Sequence, residues 1–378
     1  MKEEKPKIAM IIGSLLRYGG TEKHFLQLLQ GLGQDFEFTV YHLNPKTGKA
    51  YDLISNYSAV VDLNFKGTFS GLFYSINSAF KGLRKQAPDL IYSTSLIGLI
   101  LILPYSVIFR VPIISARRSL YSSSIFTWSK MIKRLIFWIN NIASTKIIGN
   151  SEAVEKLTLS EAFSKKKYLT IKNGIDLRNF NKADERKIEK FREEFQLSTN
   201  DFIIGSVGNY RKVKNHRQVI EAAKIISREN NAIKFIILGD GTERDNLENM
   251  IRQYGLKESV TLTGYRSDLI EALELMDIFV MTSISEGSPN ALIEAFAMKK
   301  LVIATNVPSI NEIIKQGENG FLVELYDNYA LANQILRIFE DYDSMKIIKE
   351  EAFNTVIKDF DLENNLVKFK NSFYDVIG

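Results

Sequence analysis

The sequence predicts an α/β protein built on two doubly wound parallel sheets. Apolar bursts of four to seven residues alternate with helix-period stretches from end to end, the pattern of βα units. The 378 residues exceed what one core usually serves, at roughly 150 residues per domain. Near the middle, a turn and a charged helix interrupt the series and mark a boundary.

Taken in order, Ile8 to Ile12 is a strand, followed by a glycine-bearing turn through Gly13, Gly19 and Gly20 and a helix from about Thr21 to Leu32. Further strands are expected near 37–43, 89–93, 111–115 and 146–149. Leu90 to Phe109 is a run of twenty residues without a charge, the length a membrane-crossing helix requires. It contains Pro104 and several polar residues, however, and divides naturally into a strand LIYSTS and an apolar helix SLIGLILILPYSVIF before the strand PIISA. A buried βα unit is therefore expected rather than a span. The boundary is placed in the turn and charged surface helix between Asn173 and Asp201. Beyond it, strands are expected near 202–207, 233–238, 259–263, 277–282, 301–304 and 321–323, with helical patterns such as His216 to Arg228 and Arg244 to Tyr254 between them.

Composition narrows the chemistry. With 45% hydrophobic and 25% charged residues the chain is globular rather than disordered, and with no cysteine it has no disulfide framework, thiolate metal site or catalytic thiol. His24, His42 and His216 are far apart and lack zinc-site spacing, so no metal is expected. MKEEKPKIAM does not read as a secretory signal, which favours the cell interior.

Charge is uneven: residues 1–180 hold 24 Lys+Arg against 12 Asp+Glu. Between Asp89 and Glu152 there is no acid, while Arg110, Arg117, Arg118, Lys130, Lys133, Arg134 and Lys146 fall there with both tryptophans, Trp128 and Trp138. No nucleic-acid-binding pattern accompanies these bases, so an anionic membrane surface is the expected partner of residues 90–151, and nucleic acid is not. In SKMIKRLIFWINNI, Met131, Leu135 and Trp138 recur at helical spacing beside Lys130, Lys133 and Arg134, and Phe126, Ile132, Ile136 and Ile139 add apolar surface. The competing expectation is a core-packed helix with a solvated basic edge.

Open parallel sheets bind ligands beyond the carboxyl ends of their strands. Neither a GxxxxGK[ST] nor a GxGxxG is present. The densest polar cluster is MTSISEGSPNALIEAFAMKK, where a strand ends in a turn and Ser288-Pro289 is expected to open a helix as N-cap and first residue. Such a terminus accepts phosphate oxygens, and Gly287 lets them approach. Glu286 and Glu294, eight residues apart, can face one ligand from different depths. The plainer alternative is that Glu286 caps the helix and Glu294 is solvated. Arg211, Lys212 and Lys214, in the loop after the strand ending at Gly208, can neutralise a diphosphate.

Seven ordered segments then carry a resemblance: YGGTEK, NGID at Asn173 to Asp176, VGNYRKVKNH, LGDGTERDNL, LTGYRSDL, SEGSPNALIEAFA and GENGFLV at Gly317 to Val323. Over nearly its whole length the chain resembles the retaining, sugar-nucleotide-dependent glycosyltransferases of family 4. The resemblance implies a GT-B fold, two Rossmann-like doubly wound domains facing across a cleft. It implies an acceptor-binding domain at 1–174, a nucleotide-sugar-binding domain at 175–360 and a C-terminal helix at 361–378 crossing back to the first. Also implied is metal-independent transfer of a sugar, with retention, from a UDP-sugar to a glycan or lipid-linked acceptor. The setting would be bacterial surface polysaccharide assembly at the inner face of the cell membrane, with no cofactor beyond the donor.

By position, the resemblance assigns Glu286 to the donor sugar hydroxyls, Glu294 to the ribose, Lys214 with Arg211 to the diphosphate, and the Tyr265-Arg266 turn to the base. Gly287, Ser288, Asn290, Gly19 and Gly20 complete the donor-binding set. Departures from the family pattern are Asn209 in place of an arginine, Arg118 in place of a histidine, Lys299 and Leu301 in place of glycine and proline, and Pro308-Ser309 in place of a glycine pair. A sugar-nucleotide epimerase of the same architecture and a noncatalytic membrane-docked scaffold are the other readings.

Overall fold

The computed structural model describes residues 4–16, 19–44, 48–65, 69–118, 130–161, 168–180 and 183–378. The chain forms two compact units, Met1–Gly174 with Glu363–Gly378, and Ile175–Leu362.

Among the described residues of the first unit, seven parallel strands stand in the order β3-β2-β1-β4-β5-β6-β7. They are β1 (Lys7–Ile12), β2 (Glu37–His42), β3 (Ala59–Asp62), β4 (Leu90–Ser93), β5 (Ile113–Arg117), β6 (Lys146–Gly149) and β7 (Tyr168–Thr170). Strands of a parallel sheet are covered on both faces and therefore read as continuous apolar runs. That is why KIAMII and LIYS are recognisable from sequence, and both are buried almost throughout. β3 and β7 were not expected. They are the two edge strands, only four and three residues long, and partly exposed, so their sequences carry little apolar signal.

The helices are α1 (Gly20–Leu32), α2 (Lys49–Ser55), α3 (Phe69–Gln86), α4 (Leu96–Phe109), α5 (Lys130–Ala143) and α6 (Glu152–Glu161). Right-handed crossovers place α1 and α2 on one sheet face and α3, α4 and α5 on the other. Accordingly Phe25, Leu28 and Ile54 share one core, whereas Ala79, Leu83, Leu99 and Ile102 share a second. The uncharged run from Leu90 resolves into β4 and α4, the βα unit expected. The Ser95 hydroxyl caps α4 by accepting from the Gly98 N–H at 3.0 Å, and Arg110 ends it in left-handed conformation. Among the described residues no helix is long and apolar enough to cross a membrane.

Among its described residues the second unit has six parallel strands in the order β10-β9-β8-β11-β12-β13. They are β8 (Phe202–Val207), β9 (Ile233–Leu238), β10 (Val260–Gly264), β11 (Ile278–Met281), β12 (Leu301–Thr305) and β13 (Phe321–Val323). The surrounding helices are α7 (Glu185–Glu194), α8 (His216–Ile226), α9 (Arg244–Tyr254), α10 (Leu269–Leu275), α11 (Asn290–Ala297), α12 (Pro308–Asn311), α13 (Asn328–Glu340) and α14 (Lys346–Asp359). The charged helix expected at the boundary is α7, although its Phe191 is fully buried.

The last helix, α15 (Leu362–Ile377), belongs chiefly to the first unit. Phe369 and Phe373 enter the α1 core, where Phe373 meets Phe36 at 5.6 Å and Tyr92 at 5.6 Å between ring centroids. Lys370 pairs with Asp35 at 2.6 Å, and Lys146 with Asp375 at 3.3 Å.

Candidate donor site

Sheet order in the second unit reverses between β8 and β11, the position at which open parallel sheets hold ligands beyond the carboxyl ends of their strands. The loops that follow these two strands carry Lys214 and Glu286. Lys214 Nζ donates to Glu286 Oε1 at 2.6 Å, and the Ser283 hydroxyl donates to the same oxygen at 2.6 Å. The side chains are 24% and 10% exposed, so this charge-assisted pair is largely removed from water.

Both loops are held from below. After β8 the chain makes a 3-10 turn, Lys212–Lys214, and passes through Asn215 in left-handed conformation before α8. The Thr282 hydroxyl donates to the Asn215 carbonyl at 2.9 Å, and the Ile284 N–H to the Val213 carbonyl at 2.8 Å. On the other side, the Ser309 hydroxyl donates to the Glu286 carbonyl at 2.6 Å and the Thr305 hydroxyl to the Ser283 carbonyl at 2.6 Å. The loop after β9 closes in through Gly239 and Gly241. A Cβ on Gly239 would lie 1.9 Å from the Gly208 carbonyl oxygen, and both glycines have positive φ.

α11 begins one residue later than expected. Pro289 occupies its N-cap position and Asn290 is its first residue, so Ser288-Pro289 is not the N-cap and first-turn pair. Proline lacks a capping side-chain oxygen, and Pro289 makes no side-chain cap bond. Glu286 therefore does not cap the helix, and its carboxylate goes to Lys214 and Ser283 instead. Glu294 is 8% exposed, which excludes the solvated-residue alternative for it. Gly287 and Ser288 lie in the intervening loop, half-buried. Arg211 is exposed at the start of the 3-10 turn, three residues before Lys214.

The Tyr265-Arg266 turn divides in use. Arg266 is bidentate to Asp268, at 2.9 and 2.6 Å, and reaches Glu194 at 2.7 Å while lying over the rings of Phe191 and Phe195. Hydrogen bonding to Asp268 raises its pKa further. Arg266 thus ties α7 to the start of α10, and Tyr265 is the exposed side chain of the pair. Lys299, which stands where a glycine was expected, has φ +53° and is anchored to Glu350 at 2.8 Å. Among the described residues there is no cluster of three or more His, Asp or Glu side chains placed to hold a metal ion.

Gly19 and Gly20 belong to the first unit, where the Gly19 N–H donates to Glu22 Oε2 at 3.0 Å at the start of α1. A cluster not anticipated from sequence forms nearby. His24 lies 2.7 Å from the Tyr92 hydroxyl, Arg118 bonds Asn173, and the Asn150 side chain donates to the Arg118 carbonyl at 3.2 Å. Burial pushes the His24 pKa well down and lowers that of Arg118, while it raises those of Glu22 and Tyr92. His24 has no local sequence signal, since its partner is 68 residues away.

His216, behind Lys214, is pushed down to about 4 by burial and by the Lys214 ammonium. An unfolded chain takes up the proton near pH 6.5, so the folded state loses stability as pH falls from 6.5 towards 4 and keeps it above 6.5. Urea unfolding of the second unit should show about 1 kcal/mol lost between pH 6.5 and 5.5, and His216→Gln should flatten that slope. An unchanged slope would remove His216 as its source.

Residues 187–355 match the family model described as glycosyl transferases group 1, and residues 18–179 match that described as glycosyltransferase family 4. The chain belongs to the group 1 glycosyltransferases. It is 30% identical over 263 residues to an Escherichia coli UDP-Gal:alpha-D-GlcNAc-diphosphoundecaprenol alpha-1,3-galactosyltransferase, covering 66% of each chain. It is 28% identical to a Bacillus anthracis N-acetyl-alpha-D-glucosaminyl L-malate synthase, over 55% of this chain and 54% of that one. The matches thus span about half to two thirds of these curated relatives. Among solved structures, Anabaena HepE in complex with UDP superposes with a TM-score of 0.86 at 22% identity, covering 98% of this chain and 100% of that one. The fold is GT-B, with two Rossmann-like domains.

Proposed function

We propose that this group 1 glycosyltransferase moves a sugar from a UDP-sugar to a glycan or lipid-linked acceptor in surface polysaccharide assembly, with retained anomeric configuration and without a metal ion. The observation that carries it is the Lys214–Glu286 pair at the point where the strand order reverses, 2.6 Å apart and partly buried. An entering diphosphate offers Lys214 a more highly charged partner, which frees the Glu286 carboxylate to accept from sugar hydroxyls. Arg211 adds charge to the phosphate side, and the positive site stabilises the nucleoside diphosphate as it leaves. Gly287, Ser288 and Asn290 line the approach to α11. Tyr265 is the aromatic side chain offered to the base.

UDP as carrier is supported by the UDP complex of HepE, and a lipid-linked acceptor by the diphosphoundecaprenol in the name of the Escherichia coli relative. The first unit would bind that acceptor, at the inner face of the cell membrane. Proton NMR of the first-formed product from a UDP-sugar decides the stereochemistry: an inverted anomeric centre excludes retention, and activity abolished by chelation excludes metal independence.

Glu294, buried on α11, is proposed to bind the ribose. Glu294→Ala should weaken UDP by about 10-fold and pyrophosphate hardly at all. Equal losses in calorimetry would exclude the ribose role.

A further inference from the structure

Hydrogen bonds join the carboxyl ends of four neighbouring strands of the second unit into a series. The loops after β8 and β11 meet where the Thr282 hydroxyl donates to the Asn215 carbonyl, and the end of β12 meets the loop after β11 through the Thr305 hydroxyl and the Ser283 carbonyl. β12 is joined to β13 where the Asn306 N–H donates to the Val323 carbonyl at 2.8 Å. One side chain returns from the edge strand to the loop of Lys214 and closes the series. Gln218, in the first turn of α8 and 2% exposed, donates from Nε2 to the Glu324 carbonyl at 3.4 Å, just beyond β13. Its Oε1 accepts from Asn215 Nδ2 at 3.0 Å and from the Tyr326 N–H at 3.2 Å.

Both residues that donate to this oxygen are left-handed, Asn215 at φ +50° and Tyr326 at φ +68°. Asparagine tolerates that region, but a bulky side chain is an outlier there and persists only where its surroundings over-determine it. The Tyr326 side chain is exposed, so little packing holds it, and its N–H is anchored on Gln218. Asn215 directly follows Lys214, and its left-handed turn carries the chain from the 3-10 turn into α8. The direction in which Lys214 leaves the backbone therefore depends on Asn215. The neighbouring buried positions of α8 are apolar, Val219, Ile220 and Ala222, so packing alone does not call for an amide at 218.

We propose that Gln218 is a positioning residue for the diphosphate: through Asn215 it sets the Lys214 ammonium, and it couples that setting to the loop after β13. Released from Gln218, Asn215 relaxes towards the right-handed region that L-residues prefer, and Lys214 turns with it. This role rests on the reading of Lys214 as the cation that meets the diphosphate.

Calorimetry of the full chain with UDP and with uridine tests it. Gln218→Leu removes all three side-chain bonds; UDP affinity should fall about 10-fold and uridine affinity by less than about 2-fold, because uridine has no phosphate for Lys214. Asn215→Ala, which removes the side chain that Gln218 holds, should show the same selective loss and decides the matter if the leucine variant does not fold. In a Lys214→Ala background, Gln218→Leu should change UDP affinity by less than about 2-fold, the non-additivity of residues that act through one another. Equal losses for UDP and uridine would overturn the role, as would unchanged UDP affinity in Asn215→Ala or an undiminished loss in the Lys214→Ala background. If Lys214→Ala itself costs UDP no more than uridine, the diphosphate reading fails and the role of Gln218 falls with it. A selective loss in Lys214→Ala but not in Gln218→Leu overturns the positioning role alone.

Discussion

Glu286→Gln lowers sugar transfer from a UDP-sugar by roughly 100- to 1,000-fold while UDP still binds as well as before, or slightly better. The amide keeps the shape of the side chain and an oxygen for the Ser283 hydroxyl, but its charge is gone. Lys214 then has no carboxylate 2.6 Å away and is more available to the diphosphate, so nucleotide affinity does not fall. On the proposed reading the carboxylate acts on the sugar, where charge develops as the bond breaks, so the loss appears in turnover, and removal of one such electrostatic contact commonly costs about two to three orders of magnitude. Parallel calorimetry with UDP and single-turnover kinetics separate the effects. Equal losses in both would place Glu286 on the nucleotide instead.

Lys214→Ala has the opposite signature. UDP affinity should fall by about 100-fold, since the diphosphate of the proposed complex loses its partly buried cation, and transfer should fall with it. The variant should also unfold at lower urea, because Glu286, 10% exposed, is left with only the Ser283 hydroxyl of its two partners here. Arg211→Ala should cost less on both counts, as Arg211 is exposed and its charge is screened. UDP affinity unchanged in the double variant would show that the diphosphate binds elsewhere.

The interior strands and the glutamate pair were legible in the sequence for different reasons. Strands such as IFVM and LVIAT are covered on both faces and must be apolar throughout, so composition alone reveals them. Glu286 and Glu294 lie on one continuous segment, and a turn followed by a helix makes their relation local. What could not be read are the contacts made across the fold. Ser309 is 23 residues from the carbonyl it supports, and Thr282 is 67 residues from Asn215. Only the sheet order brings these groups together. α5 shows a second limit: its sequence is amphipathic, but periodicity does not say which face turns inward. In the fold Asn141 accepts from the buried Arg117 guanidinium, and Trp138 is exposed. Phe126 and Trp128, and the side chains of residues 130–134, lie outside the described residues.

The placement of α15 sets the order in which the molecule can be built. The core between α1 and the first sheet is closed by Phe369 and Phe373, which are translated almost 200 residues after the rest of that unit, beyond Gly174. During synthesis the second unit, continuous from Ile175 to Leu362, can finish folding first. Until α15 has been made, Phe36 and Tyr92 lack the Phe373 ring that each meets at 5.6 Å in the folded chain.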